Sequence, residues 1–426
     1  MARLETVRVV LAVAKEEKMV VHQLDVKTAF LNGKLTEEIF MTQPEGFNQG
    51  TGLVCRLNRS LYGLKQASRA WNERFHEFVV KLGFKRSSAD QCLYISGVGE
   101  EQVILVLYVD DMLVASRKLK AVEKVKRCFE KEFEMSDVGE VTHFLGMMIE
   151  RIVDERILKI SQRMFLENLL HRFNMFECKP VSTPMECHLR LKKGEESERT
   201  AKPYRELIGC LTYVTLTSRP DLCAAVNVLS QVQSCPTDQL TSYAKRILRY
   251  IKGTLDLELI FRGGTTKSVL DAFADADWAN DAIDRRSLTG YIFRVYGCTV
   301  SWLTRKQSTV SLSSTEAELV ALCTAVCNGV WLTRLFNDLG KEPQNPIVYY
   351  EDNQSTIKIV GEERYAGRLK HVDVKHRLVF KQIQQGRVTV CYVPTGKQLA
   401  DIMTKGLPAG VFREHRSNLG FSGSGN

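Results

Sequence analysis

The spacing of apolar and polar positions changes period several times along the chain, and each change marks an element. Apolar residues at helical spacing over 3–17 lead into the apolar run "MVVHQLDV" (19–26), which predicts a helix followed by a strand. A turn-bearing connector, "KTAFLNGKL" (27–35), precedes a second helical stretch over 61–82. Strands over 90–96 and 102–108 flank "GVGEE", a glycine-containing hairpin turn, and the next strand opens at "YVDDM". Residues 117–133 read as an amphipathic basic helix, and 142–152 with 157–162 as a hairpin around "VDE". A helical pattern over 161–178 ends in "KPVSTPMECHLRLKKGEESERTAKP" (179–203), whose Pro, Ser, Glu and Lys make it a linker. Helices over 204–231 and 237–252 follow. At "RGGTTK" (262–267) the composition shifts, and strands come first ("SVLDAFADADW", "TGYIFRVYGCTVSWLT"). A helix over 314–339, a strand over 347–351, a helix over 353–360, a strand over 387–393 and a final helical stretch complete the chain. That β-β-α-β-α-β order predicts a mixed α/β domain of about 150 residues.

Composition adds three constraints. A chain of 426 residues exceeds one ordinary core, so two or three domains are expected. No apolar run suggests a membrane span, and the N-terminus lacks a signal-peptide pattern. Twelve cysteines without a CxxC pair point to a reduced, intracellular protein, cytoplasmic or nuclear. Cys323 and Cys327 lie four apart in a helical pattern, but two thiols do not make a zinc site. Formal net charge is +9, with dense basic stretches at 117–127, 190–193, 244–252 and 364–377. Any one of these reads as a solvated helix face; four on one chain point to a polyanionic partner, nucleic acid.

The sharpest chemical signal is "VILVLYVDDMLVAS" (103–116), an apolar strand pattern broken by Asp110 and Asp111. Two adjacent carboxylates are costly in a core unless a surface turn solvates them or a cation neutralises them. Asp25 ends another apolar strand. Three converging carboxylates suffice to hold two divalent cations about 4 Å apart for in-line phosphoryl transfer, and Mg²⁺ suits such oxygen ligands.

"QLDVKTAFLNGKLTEEIFMTQPEGF" (23–47), "SLYGLKQASRAW" (60–71) and "YVDDMLVAS" (108–116) together resemble the reverse transcriptase of copia-type retrotransposon polyproteins. The resemblance implies a polymerase palm, in which Asp25 and Asp110 bind both metals with Asp111 alongside and the main-chain carbonyl of Val26 completes the coordination. It also implies that Phe30 lies under the sugar and excludes a 2′-hydroxyl, while Gly63, Lys65 and Gln66 lie beside the incoming nucleotide and template. Ser68 replaces a proline expected in the family. "HFLGMMIE" (143–150) resembles the hairpin that grips the primer end, and the helices between 161 and 252 would form thumb and connection. A strand-rich fingers segment precedes the first aspartate in this family. Asp25 lies close to Met1, so the expectation is an N-terminally truncated reverse transcriptase with weak or absent nucleotide addition.

The later acids "AFADADW" (272–278), "SSTEAELVAL" (313–322), "YYEDNQST" (349–356) and "YVPTGKQLADIMTK" (392–405) fall on a strand, a helix, a strand end and a final helix. This resembles ribonuclease H in its copia-type form over roughly 270–410, and implies four carboxylates holding two Mg²⁺ or Mn²⁺. Asp275 and Asp277 point to one face of a strand, and Asp275 fits the family's first motif better. Glu318 matches the catalytic glutamate, Glu316 reads as solvated, and Asp352 and Asp401 complete the set. His371 and His376 lie in the basic stretch before the last strand; a lone histidine is more often structural. "RKQSTVSLSST" (305–315) offers groups for phosphate and 2′-hydroxyl contacts.

The expected architecture is α/β (α+β). A palm and the start of the thumb span 1–178, a linker with helical thumb and connection 179–262, and a ribonuclease H-like mixed-sheet domain 263–426. The expected function is RNA-directed DNA polymerase and ribonuclease H, with two Mg²⁺ (or Mn²⁺) per active site. Its partners would be RNA template, DNA primer, RNA–DNA hybrid and deoxynucleoside triphosphates, with no membrane. The alternative is a non-catalytic nucleic-acid-binding remnant of a retrotransposon. A plain interaction scaffold explains neither the charge nor the acids.

Overall fold

The structure is a computed structural model that describes residues 1–50, 52–187, 189–192, 194–264, 269–341, 343, 346–363 and 370–423. The chain divides into two compact units, each described by itself. The first comprises 1–10, 17–141 and 334–341; the second comprises 11–16, 142–333 and 342–426.

In the first unit the chain enters through α1 (Leu4–Glu16), whose first turns belong here, and β1 (Val20–Val26). The small pair β2 (Phe40–Thr42) and β3 (Val54–Arg56) follows, then α2 (Ala67–Lys81), β4 (Lys85–Arg86) and β5 (Leu93–Ser96). The hairpin β6 (Val103–Tyr108) and β7 (Asp111–Ser116) comes next, then α3 (Leu119–Glu132) and β8 (Met135–Glu140). Six strands form one antiparallel sheet in the order β4-β5-β6-β7-β1-β8. Residues 103–107 of β6 and 112–116 of β7 are buried, as their continuous apolar run predicts. Helix α2 buries Ala67, Trp71, Phe75, Phe78 and Val79, a stripe at helical spacing, and α3 buries Val122, Val125 and Phe129.

The second unit begins with β9 (His143–Phe144), β10 (Met147–Ile152) and β11 (Ile157–Ser161), followed by α4 (Arg163–Arg172). Helices α5 (Tyr204–Thr217), α6 (Cys223–Ser230) and α7 (Asp238–Lys252) lead to β12 (Glu258–Arg262). A second sheet is built from β13 (Leu270–Asp277), β14 (Leu288–Val295) and β15 (Cys298–Lys306). Helix α8 (Ser314–Asp338), β16 (Ile347–Glu351), α9 (Gln354–Gly361), α10 (Lys370–Gln384) and β17 (Val388–Tyr392) continue the chain. It closes with α11 (Asp401–Thr404), α12 (Ala409–Asn418) and β18 (Phe421–Ser422). One five-stranded sheet runs β18-β12-β11-β10-β9. The other runs β15-β14-β13-β16-β17, antiparallel from β15 to β13 and parallel from β13 to β17.

The mixed α/β class is as expected, with several local corrections. The stretch "TGYIFRVYGCTVSWLT" is a hairpin, β14 and β15, because Tyr296 and Gly297 at φ 48° and 76° turn the chain back. The expected helix over 204–231 is two helices, since Pro220 lacks the N–H and the φ freedom to continue α5. Helix α2 starts at Ala67, after a turn in which Gly63 has φ 93°. Strands β8 and β12 and helix α10 were not anticipated.

Among the described residues, helix α8 is by length and composition long and apolar enough to cross a membrane. Of its most apolar window, 61% is buried inside the protein. Ala317 and Ala321 on α8 pack against Ala276 of β13, and a Cβ at Gly329 would collide with the Tyr349 hydroxyl. It is a core helix on the mixed sheet.

Candidate metal centres and nucleic-acid surface

In the first unit the β6–β7 turn is two residues long, Val109 and Asp110, and Tyr108 pairs with Asp111 across it. Val109 has φ 56°, a strained conformation for a β-branched residue. Trp71 Nε1 donates to the Val109 carbonyl at 2.8 Å, and Val26 N donates to the Asp110 carbonyl at 2.9 Å. These bonds tie the turn to α2 and to the end of β1. Asp25 stands directly opposite Asp111 in the β1–β7 register, so both share a face with Gln23.

Each acid of the turn has a polar neighbour. Tyr62 Oη donates to Asp110 Oδ2 at 2.8 Å, and Gln23 Nε2 to Asp111 Oδ1 at 3.0 Å. Asp110 Oδ1 is buried without a hydrogen-bond partner. Burial raises the Asp111 carboxyl above its ordinary value, and the Asp25 and Asp110 charges add to this against the Gln23 bond. The Tyr62 hydroxyl is pushed up to about 12 by burial and by Asp110. Among the described residues these three carboxylates do not form a group with atoms all within 4.8 Å of one another.

Phe30 is half-buried, its ring 4.6 Å from that of Tyr62. Val26 is buried, Gly63 and Lys65 are exposed, and Gln66 is half-buried at the start of α2. Trp71, Tyr62 and Gln23 were not singled out in the sequence; only the folded register brings them to the acids. Replacing Trp71 with Phe removes the N–H and part of a buried ring, and is expected to destabilise the protein by at least about 1 kcal/mol, the lost bond and the lost packing adding together. Urea denaturation measures this; an unchanged midpoint would show that the bond does not hold the turn.

In the second unit Asp275, Glu318 and Asp352 bring ligand oxygens within 4.8 Å of one another. Asp275 comes from β13, Glu318 from the second turn of α8, and Asp352 from the junction of β16 and α9. Asp275 and Glu318 are buried and Asp352 is half-buried. Thr404 Oγ1 donates to Asp275 Oδ2. Glu318 Oε2 is buried without a hydrogen-bond partner. Burial holds the Glu318 carboxyl well above the carboxylate range, and the charges of Asp275, Glu351 and Asp352 add to it.

Asp401, on α11, stands outside that group of three. Lys405 Nζ lies 2.8 Å from Asp401 Oδ1 and 4.0 Å from Asp275 Oδ2. Burial and the Asp275 charge push Asp401 up to about 8, against Lys405. Burial works to lower Lys405, but Asp275 and Asp401 outweigh it.

Asp277 shares the strand face of Asp275, is half-buried, and accepts from Asn280 Nδ2 at 2.8 Å. Glu316 is buried rather than solvated, its Oε2 accepting from Leu312 N at 2.8 Å ahead of α8. His376 is fully buried, with Nε2 2.8 Å from the Ile359 carbonyl, which places it between α9 and α10. Glu351 and Lys405 were missed in the sequence, the first hidden in an apolar strand and the second in a basic chain.

The basic stretches are partly consumed by ion pairs. Arg117 lies 3.2 Å from Glu17, Lys118 pairs with Glu101, and Lys126 is buried with Asp137 at 2.7 Å and His22 at 2.6 Å. Arg246 pairs with Glu186 at 3.1 Å, Arg249 donates to the Lys179 carbonyl, and Lys252 covers the Phe176 ring at 3.9 Å. Lys120, Lys124 and Lys245 are exposed, as are Arg190 and Lys192. Lys193 and 364–369 lie outside the described residues, as does the side chain of His371.

Residues 1–187 match the reverse transcriptase (RNA-dependent DNA polymerase) family. The chain is 38% identical over 420 residues to the retrovirus-related Pol polyprotein from transposon TNT 1-94 of Nicotiana tabacum, covering 96% of this chain and 31% of that protein. It is 30% identical over 302 residues to a putative Ty5-1 transposon protein of Saccharomyces cerevisiae, covering 70% of this chain and 97% of that protein. Among solved structures, a foamy viral protease–reverse transcriptase in complex with dsDNA aligns with a TM-score of 0.49 at 13% identity, over 88% of this chain and 68% of that one. The chain belongs to the reverse transcriptase family of retrotransposon Pol polyproteins, and spans less than a third of the tobacco polyprotein.

Proposed function

We propose that this chain is the reverse transcriptase and ribonuclease H region of a copia-type polyprotein, with one metal-dependent centre in each unit. The observation that carries the reading is the meeting of Asp275, Glu318 and Asp352 within 4.8 Å, two of them buried. Three carboxylates so placed repel one another and lack enough protein donors, so the donor set fits a hard divalent cation such as Mg²⁺ or Mn²⁺. The orphaned Glu318 Oε2 fits the same cation.

In the second unit Asp275, Glu318 and Asp352 would hold the metal, and Asp401 would join from α11. Bound divalent metal there supplies Lewis acidity and an activated water for phosphodiester hydrolysis. Thr404 fixes the Asp275 carboxylate, and Lys405 balances charge between Asp275 and Asp401. In the first unit Asp25, Asp110 and Asp111, with the Val26 carbonyl, would hold the metal of a polymerase. Its buried Asp110 Oδ1 fits that role. Phe30, Gly63, Lys65 and Gln66 would border the nucleotide and template. The partners are RNA template, DNA primer, their hybrid and deoxynucleoside triphosphates. The setting is intracellular, cytoplasmic or nuclear, and all twelve cysteines are free.

The reading is tested by Mg²⁺-dependent cleavage of a labelled RNA–DNA hybrid and by primer extension on an RNA template. Absence of both activities in folded protein would overturn it in favour of a nucleic-acid-binding remnant. Binding itself is expected to weaken steeply with salt and to depend little on sequence, with a log–log slope of roughly −0.9 per phosphate contact on duplex DNA. Because many basic residues are already paired, the exposed lysines and arginines set the number of contacts. A salt-independent affinity by fluorescence anisotropy would refute the electrostatic interface.

A further inference from the structure

Glu351 is a buried acid to which the reading above gives no task. It closes β16 on the face of Ile347 and Tyr349, and Tyr349 packs against α8 at Gly329. That helix carries Glu318, so Glu351 faces the side from which Glu318 enters the acidic group. Glu351 is 0% exposed. Its Oε1 accepts from Asn353 N at 3.1 Å, and its Oε2 is buried without a hydrogen-bond partner. A dry carboxylate oxygen left unpaired is costly unless something nearby compensates it. Lys405 is engaged by Asp401 and Asp275. A cation held by the neighbouring acids is a source of compensation that fits.

We propose that Glu351 is a positioning residue for that cation, standing behind Asp275, Glu318 and Asp352 and using Oε2 to accept from the waters the metal keeps. Glu351 is not in the group within 4.8 Å, so it is not counted among the ligands. Magnesium gives up its waters reluctantly, so an outer carboxylate has hydrogen bonds to accept. The inference rests on the metal-dependent reading of this site.

The test is calorimetric titration of Mn²⁺ into the full chain carrying Asp110→Asn, which weakens the other centre, with and without Glu351→Gln. Glutamine keeps the volume and the acceptor for Asn353 N but removes the charge. Affinity is expected to fall about 10- to 100-fold, the range for outer partners of metal ligands. The melting temperature without metal is expected to stay level or rise. Unchanged affinity in Glu351→Gln, alongside loss in Asp352→Asn, would overturn the inference and leave the metal site standing. No Mn²⁺ binding in the Asp110→Asn parent would overturn the metal-dependent reading itself. A metal-free Glu351→Gln protein that melts well below its parent would assign the carboxylate to packing and likewise overturn the inference.

Discussion

Asparagine at position 352 is expected to lower Mg²⁺-dependent cleavage of RNA in an RNA–DNA hybrid by about 10³-fold or more. Asp352 sits half-exposed where β16 hands over to α9, beside two buried partners, Asp275 and Glu318. The substitution preserves shape and leaves the Asn353 cap of α9 intact, so it removes charge and little else. A metal-stabilised transition state is worth several kcal/mol, and each 1.36 kcal/mol is tenfold in rate. Asp277→Asn provides the contrast. Asp277 is half-buried and bonded to Asn280, and its variant is expected to cleave within about twofold of wild type, the scale of a surface change. Cleavage at wild-type rate by Asp352→Asn would place the activity elsewhere. A collapse in Asp277→Asn with survival of Asp275→Asn would reverse the choice between those two aspartates.

The acids were legible because their signal is local. Asp25 stands near the end of an apolar strand, Asp110 and Asp111 interrupt an apolar run, and Asp275, Glu318 and Asp352 fall on elements whose order can be read from periodicity. Their partners were not legible, because registers and turns rather than spacing assemble them. Gln23 reaches Asp111 only in the β1–β7 register, and Trp71 reaches Val109 only once α2 packs on the sheet. Glu351 carries no local signal, because it follows Tyr349 and Tyr350 as the last residue of an apolar strand. Strand β8, "MSDVGE", has no apolar alternation to reveal it, and its position is set by pairing with β1. Helix α10 was hidden by basic residues, although Val372, His376 and Val379 are buried along it. The pairing of the basic stretches is not legible for a related reason. Their neutralising partners, such as Glu17 for Arg117 and Glu186 for Arg246, lie far away in sequence.

Alanine in place of Asp221 is expected to destabilise the second unit by about 3–5 kcal/mol, because it strands a buried guanidinium. Arg219 donates Nε and Nη2 to the two Asp221 oxygens at 2.9 and 2.8 Å, with side chains only 2% and 0% exposed. Tyr250 Oη donates to Asp221 Oδ2 at 2.7 Å, and Arg219 also bonds Thr254. Burial alone would lower Arg219; Asp221 outweighs it and keeps the group charged. The network ties the connection between α5 and α6 to α7, and α5 and α6 in turn bond to the mixed sheet. Trp302 Nε1 of β15 donates to the Thr215 carbonyl at 2.8 Å, and Asn227 of α6 donates to the Thr304 carbonyl at 3.1 Å. Thr304 in turn donates to the Met403 carbonyl at 2.6 Å, next to the Thr404 that holds Asp275. The helices on either side of the network are thus bonded to the strand whose Thr304 holds the segment next to Asp275. With an unfolding entropy of about 2.1 cal/mol/K per residue, a unit of this size shifts by roughly 1.5–2 °C per kcal/mol, so the melting temperature should fall by roughly 5–10 °C. Replacing Arg219 and Asp221 together with leucine removes both charges and is expected to recover much of the loss. An Asp221→Ala protein that melts with wild type would show that water or another partner already compensates Arg219. A double variant as unstable as the single one would assign the loss to packing rather than charge.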